Sequence, residues 1–138
     1  MDRKEFLAAL GIGAASLAGL SLFPACQVSD PVSSAPTNVD FTLDLTDPAN
    51  SALKSNGGYI YKNSIIVART TSSSYVAVYS ACTHAGATVM FDGSANRFHC
   101  PAHGSNFSTT GSVINGPATQ ALHQYNTSLT GTSLRVYS

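Results

Sequence analysis

Two short pairs of metal-binding side chains constrain this chain more than any other feature. The first pair is Cys82 and His84, the second is Cys100 and His103, and fifteen residues lie between them. A zinc finger usually groups its ligands by type, with two cysteines in one loop and two histidines in another. Here each pair supplies one thiolate and one imidazole. A mixed pair on each of two loops suits a site with two metal ions better than a site with one.

The residues around the pairs resemble the two cluster-binding loops of the Rieske iron–sulfur family. They read Cys82-Thr83-His84-Ala85-Gly86 and Cys100-Pro101-Ala102-His103-Gly104-Ser105, and a third stretch, Gly116-Pro117-Ala118, is similar to the family's Pro-containing covering loop. The resemblance begins at Gly57 and runs to the C-terminus. It implies a Rieske-type [2Fe-2S] cluster, with Cys82 and Cys100 on one iron and the two histidines on the other. A Zn(Cys₂His₂) site and a degenerate domain without metal are the alternatives.

The same resemblance assigns roles to residues beside the ligands, with Pro117 in the loop that covers the cluster. In high-potential members a Ser two positions after the second His ligand donates a hydrogen bond to a bridging sulfide, and Ser105 stands there. A Tyr two positions further on donates to a Cys sulfur, whereas this chain has Phe107. One donor kept and one lost predicts an intermediate reduction potential. Many members also carry a disulfide-bonded Cys in each loop, at positions occupied here by Ala87 and Ala102.

Residues 1–26 are predicted to be an export signal or membrane anchor rather than part of the fold. Arg3 and Lys4 precede an uncharged run from Phe6 to Phe23, an order similar to a twin-arginine signal with Lys as the second basic residue. The small residue Ala25 followed by Cys26 is similar to a bacterial lipoprotein cleavage site, which predicts lipidation of Cys26. An uncleaved transmembrane anchor is one alternative, since eighteen residues of helix span about 27 Å. A cleaved signal that releases a soluble protein is the other.

The composition changes twice after residue 26. Residues 27–38 are rich in Pro and Ser and predict a flexible tether. Residues 39–138 carry short apolar runs separated by turn residues, with a period of two at the start and no convincing 3.6-residue period. They predict an all-β domain, a small antiparallel barrel or sandwich of about ten short strands with the cluster loops at one end. The predicted strands are 39–45, 59–61, 65–68, 75–79, 88–91, 97–99, 112–114, 122–127 and 134–137.

Charge and the remaining histidines add little to the predicted site. Charged residues make up 10% of the chain, the formal net charge is zero and no basic run exists, so nucleic acid is excluded as a partner. His99 precedes a predicted ligand on a strand, and its side chain is therefore expected to point away from the ligand, toward the surface. His123 follows the third loop and is not assigned a role.

Together these expectations predict that the protein is an exported one-electron carrier. It would be an electron-transfer component of an oxidoreductase rather than a complete enzyme. We expect it on the periplasmic face of a bacterial cytoplasmic membrane or other envelope membrane, attached through its N-terminus, as a small subunit or partner of a respiratory oxidoreductase. Its expected partners are redox proteins or a quinol. One alternative is the quinol-oxidising subunit of a cytochrome bc-type complex, which the missing Tyr and disulfide oppose. Another is the ferredoxin of a ring-hydroxylating oxygenase, which the export signal opposes. The non-redox alternative is a zinc-stabilised binding domain.

Overall fold

The computed structural model describes residues 35–138, which form ten strands and one short 3₁₀ helix. The strands are β1 (Asp40–Asp44), β2 (Tyr59–Lys62), β3 (Ile65–Arg69), β4 (Tyr75–Tyr79), β5 (Met90–Asp92), β6 (Arg97–His99), β7 (Asn106–Phe107), β8 (Val113–Asn115), β9 (Gln124–Thr130) and β10 (Ser133–Tyr137). The 3₁₀ helix, Pro48–Lys54, lies between β1 and β2 in the chain. The prediction of an all-β domain with about ten short strands is confirmed.

The strands form two antiparallel sheets. The larger sheet has the order β1-β10-β9-β4-β3-β2, and the smaller one has the order β5-β6-β7-β8. The loop after β4 leads from the large sheet to the small one, the loop after β6 turns within the small sheet, and the loop after β8 returns to the large sheet. The two Cys/His pairs and the Gly-Pro stretch occupy these three loops.

Strands β3 and β4 separate two hydrophobic cores. Side chains alternate between the two faces of a strand, so Ile66 and Val78 enter one core, whereas Ile65 and Ala77 enter the other. A strand buried on both faces reads as a continuous apolar run, which is why residues 65–68 lack the alternation seen near residue 40. We call the first of these the loop-side core, and it comprises Ile66, Ala68, Val78, Cys82, Val89, Phe91, Phe98, Cys100, Phe107, Ala118 and Leu122.

The 3₁₀ helix and strand β7 were not predicted from the sequence. The helix is short, begins with Pro48 and is capped by Asp47, whose carboxylate accepts a hydrogen bond from the Ala49 N–H (2.9 Å). Its anchor is Leu53, which is fully buried. A single apolar anchor in seven residues leaves no helical period to detect. Strand β7 has only two residues and directly follows the stretch that the sequence marks as a ligand loop.

The predictions for residues 1–34 lie outside the described residues. These are the export signal or anchor, the lipidation of Cys26 and most of the tether. Within residues 35–138, no helix is long and apolar enough to cross a membrane. The end of the predicted tether contacts the domain, since Ala35 packs against the core around β9 and β10 and the Pro36 carbonyl accepts a hydrogen bond from the Tyr125 hydroxyl (2.8 Å).

Candidate metal centre

The first Cys/His loop, between β4 and β5, is closed by two backbone hydrogen bonds. The Cys82 N–H donates to the Ala87 carbonyl (2.7 Å), and the Gly86 N–H donates to the Cys82 carbonyl (2.7 Å). Gly86 has a φ of +74°, and a Cβ added there would meet no other atom within 4 Å. The backbone angle, rather than crowding, therefore favours glycine at this position.

The second Cys/His loop, between β6 and β7, has the same backbone hydrogen bonds. The Cys100 N–H donates to the Ser105 carbonyl (2.8 Å), and the Gly104 N–H donates to the Cys100 carbonyl (3.0 Å). Gly104 also has a positive φ, +84°. In both loops the glycine therefore follows the cysteine by four residues, whereas the two histidines stand at different offsets from their cysteines. This shared Cys-to-Gly spacing is visible in the sequence.

The two cysteines lie side by side beneath the surface. Cys82 is fully buried, Cys100 is 1% exposed, and both are free thiols in the loop-side core. Burial raises the pKa of the Cys82 thiol, and the neighbouring Cys100 side chain adds to that rise. The backbone N–H groups of His84 and Ala85 point at the Cys82 sulfur and act in the opposite direction, because they stabilise a thiolate.

The two histidines lie together on the outside of the same loops. Both imidazoles are exposed, and the His84 and His103 rings meet edge to face with their centroids 4.9 Å apart. The loops thus present a pair of adjacent thiols inside and a pair of adjacent imidazoles outside. Among residues 35–138, no three His, Cys, Asp or Glu side chains are grouped in a way that could hold one metal ion.

This separation of donors fits a Rieske-type [2Fe-2S] cluster. Such a cluster takes two thiolates on one iron and two imidazoles on the other, and the chain supplies those donors as two separate pairs. N–H groups directed at a sulfur are also the kind of contact that tunes a metal–thiolate centre.

The third loop, between β8 and β9, is tied to both Cys/His loops. The Thr83 hydroxyl donates to the Gln120 carbonyl (2.7 Å), and the Ala118 N–H donates to the Ser105 hydroxyl oxygen (3.0 Å). Ala118 is buried in the loop-side core, whereas Pro117, which follows a cis peptide bond from Gly116, is exposed. These two hydrogen bonds attach the loop at Ala118 and Gln120, which follow Pro117 in the chain.

The Ser105 hydroxyl is an unused hydrogen-bond donor within the described part of the chain. Its side chain is fully buried, and its oxygen already accepts the Ala118 N–H. No described residue accepts the Ser105 hydroxyl proton, so the O–H is available to an acceptor such as a sulfide placed beside it. Phe107 is also fully buried and packs in the loop-side core, where it offers no hydrogen-bond donor.

His99 lies only partly at the surface, where the sequence predicts a surface residue. His99 is half-buried, and its Nδ1 lies 2.7 Å from the Asn106 side-chain oxygen. Asn106 stands opposite His99 on the neighbouring strand β7, a contact that the alternation of a single strand does not reveal. His123 is exposed, and its ring packs edge to face on Tyr125, with 4.8 Å between the centroids.

The three loops carry no charged side chain. No Asp, Glu, Lys or Arg occurs in residues 70–91 or 98–134, which contain all three loops. The exposed apolar side chains Val113 and Ile114 precede the third loop on the edge strand β8. The described charges lie on other parts of the chain, as in the Asp40–Arg135 ion pair between β1 and β10 (2.7 Å).

Comparison with known proteins connects this site to one family. The sequence model of the Rieske [2Fe-2S] domain matches residues 45–126. The cytochrome b6-f complex iron-sulfur subunit of Chlorobaculum thiosulfatiphilum is 30% identical, in an alignment covering 96% of this chain and 74% of that protein. The corresponding subunit of Trichodesmium erythraeum is 49% identical over 43 residues, which cover 31% of this chain and 24% of that protein.

A solved structure extends the similarity to the fold. The crystal structure of the cyanobacterial plasma membrane Rieske protein PetC3 from Synechocystis PCC 6803 superimposes with a TM-score of 0.55 and 32% sequence identity. The superposition covers 64% of this chain and 93% of that chain.

Proposed function

This chain belongs to the Rieske [2Fe-2S] family and is an electron-transfer protein with a cluster of that type, and we propose that it acts as a one-electron carrier on the outer side of a bacterial cytoplasmic membrane. In this role it is a small subunit or partner of a respiratory oxidoreductase. The observation that carries the proposal is that each of two loops supplies one buried thiol and one exposed imidazole, and that the two loops have matching backbone hydrogen bonds.

The proposed ligands are Cys82 and Cys100 for one iron and His84 and His103 for the other. When bound, the cluster supplies reversible one-electron oxidation and reduction. The cysteine ligands are buried, so water is excluded from their side of the site. The imidazoles are exposed and would face a redox partner. Ser105 is proposed to donate its free O–H toward a cluster sulfide, while the loop that contains Pro117 covers the site.

The lack of charged side chains in the three loops supports docking to an uncharged partner surface or to a quinol. Electrostatic steering requires a field from clustered charge, and residues 70–91 and 98–134 carry none. The exposed Val113 and Ile114 beside the third loop offer apolar contact instead.

The proposed location rests on residues 1–38 and on the relatives. We propose that residues 1–26 export the protein, that Cys26 becomes lipidated and that the following residues tether the domain to the membrane. The similarity to a plasma membrane Rieske protein supports attachment. The mass of the mature protein tests it, since a lipid-modified chain that begins at Cys26 is expected. An intact Met1–Ala25 segment would support an uncleaved anchor instead, and a cleaved chain without acyl groups would leave attachment without support.

A second candidate is the quinol-oxidising subunit of a cytochrome bc-type complex. Similarity to a cytochrome b6-f iron-sulfur subunit along 96% of the chain favours it. Phe107, Ala87 and Ala102 oppose it, because they lack the hydroxyl and the thiols that the resemblance associates with such subunits. Purification from membranes separates the candidates, because a bc-type subunit should copurify with a b-type cytochrome, whereas a free-standing carrier should not.

Two substitutions test the ligand assignment. His84→Ala and His103→Ala should each abolish the Rieske electron paramagnetic resonance (EPR) signal of the reduced protein, because no described acidic, Cys or other His side chain is grouped with them to replace the lost nitrogen. His99→Ala should keep a Rieske signal, since the His99 ring bonds to Asn106 rather than facing the other imidazoles. His123→Ala is the matched control and should leave the signal unchanged, since the exposed His123 ring packs on Tyr125. A full signal in the His103 variant would overturn the assignment.

A further inference from the structure

A row of polar side chains crosses three neighbouring strands of the small sheet. His99 on β6 stands opposite Asn106 on β7, and Asn106 stands opposite Asn115 on β8. Asn106 is only 7% exposed, whereas Asn115 at the edge of the sheet is exposed. A buried amide in this position needs hydrogen-bond partners, since leaving it without them is costly.

The three side chains are linked by consecutive hydrogen bonds, and their donors and acceptors can be assigned in only one way. The Asn115 side-chain N–H₂ donates to the Gly104 carbonyl (3.0 Å) and to the Gly116 carbonyl (3.1 Å), which can only accept. The Asn115 oxygen must therefore accept, and it does so from the Asn106 N–H₂ (2.8 Å). The Asn106 oxygen then faces His99 Nδ1 at 2.7 Å, which requires a proton on that nitrogen.

This series of hydrogen bonds ends at the loop that contains His103 and at the third loop. Gly104 directly follows His103 in the second Cys/His loop, and Gly116 precedes Pro117 in the third loop. One amide, that of Asn115, thus bridges the carbonyls of both loops. Asn106 adds a longer contact to the Gly104 carbonyl (3.4 Å).

We propose that Asn115, oriented by Asn106 and His99, is a positioning residue that clamps the His103 loop to the third loop. Ala87 and Ala102 cannot form a disulfide, so the two Cys/His loops have no covalent link of that kind at those positions, and hydrogen bonds to the third loop help to hold the His103 loop instead. The amide clamp fixes the carbonyl next to His103 and, through the backbone, the direction of that imidazole. This inference rests on the proposed assignment of His103 as an iron ligand.

The experiment compares Asn115→Ala, Asn115→Gln and Asn126→Ala in the full-length protein. Asn115→Ala removes both donors from an exposed position without adding charge, whereas Asn126→Ala makes the same change at an exposed position of β9. Two measurements are made: the rate at which the visible absorbance of the cluster is lost on mild heating, and the EPR g values of the reduced protein. Asn115→Ala should release the cluster about tenfold faster than the parent, which corresponds to about 1.4 kcal/mol.

The g values distinguish positioning from simple loss of stability. Asn115→Ala should shift them, because the direction of the His103 ring changes, and Asn115→Gln should restore part of both effects by returning an amide donor. The proposal is overturned if Asn115→Ala matches Asn126→Ala, if its g values equal those of the parent, or if Asn115→Gln behaves as Asn115→Ala does. The parent spectrum is recorded first, since a parent without a Rieske signal would overturn the proposed function and not the clamp alone.

Discussion

Ser105→Ala probes the hydroxyl that is buried between the second Cys/His loop and the third loop. The substitution removes one acceptor and one donor from a side chain that is fully buried. The lost acceptor is the partner of the Ala118 N–H at 3.0 Å. The lost donor is the O–H that we propose points at a cluster sulfide. One change should therefore affect both the stability of the domain and the reduction potential.

The two effects have different magnitudes and different origins. Leaving the buried Ala118 N–H without an acceptor should lower the free energy of unfolding by about 1–3 kcal/mol. A charge-assisted hydrogen bond is worth about 1.5–3 kcal/mol, of which only the part that differs between the two redox states alters the potential. Since about 59 mV corresponds to 1.4 kcal/mol for one electron, the potential should fall by some tens of millivolts up to about 100 mV.

Protein-film voltammetry and thermal unfolding of the same preparations measure both quantities. Ser94→Ala is the matched control, because Ser94 donates a hydroxyl hydrogen bond to Asp92 (2.7 Å) in the exposed turn between β5 and β6. The control should leave the potential unchanged. An unchanged potential in Ser105→Ala would show that its hydroxyl does not reach a sulfide, and the expected intermediate potential would lose its basis.

Three further predictions concern other parts of the domain. Phe107→Tyr should raise the potential by some tens of millivolts in voltammetry if its hydroxyl reaches a Cys sulfur, and lower the unfolding temperature, because Phe107 is fully buried. The rate of electron exchange with a charged mediator should change little with ionic strength in stopped-flow measurements, because the three loops carry no charged side chain. The hydrogen bond from Arg135 lowers the pKa of Asp40, so Asp40→Asn should lower the unfolding temperature at pH 6, and the difference should shrink below about pH 4 as the parent carboxylate is protonated.

Much of the β architecture could be predicted because its signals are local. The alternation that begins at Val39 gave β1, and the turn residues around positions 62–64 and 71–74 gave the limits of β2, β3 and β4 to within about one residue. Strand β7 escaped because two residues cannot show a period. The strand predicted at residues 122–127 is β9, Gln124–Thr130, in the structure. Leu122 packs in the loop-side core and precedes the first residue of this strand.

The supporting contacts of the candidate site could not be predicted for a different reason. Cysteine and histidine in mixed pairs have few common roles, so Cys82, His84, Cys100 and His103 stand out in a single sequence. Asparagine serves in almost any turn or strand end, and the roles of Asn106 and Asn115 depend on which residues the strand register sets opposite each other. That register is a property of three strands together. The donors of this site are therefore visible in the sequence, whereas the hydrogen bonds that orient them appear only once the sheet is assembled.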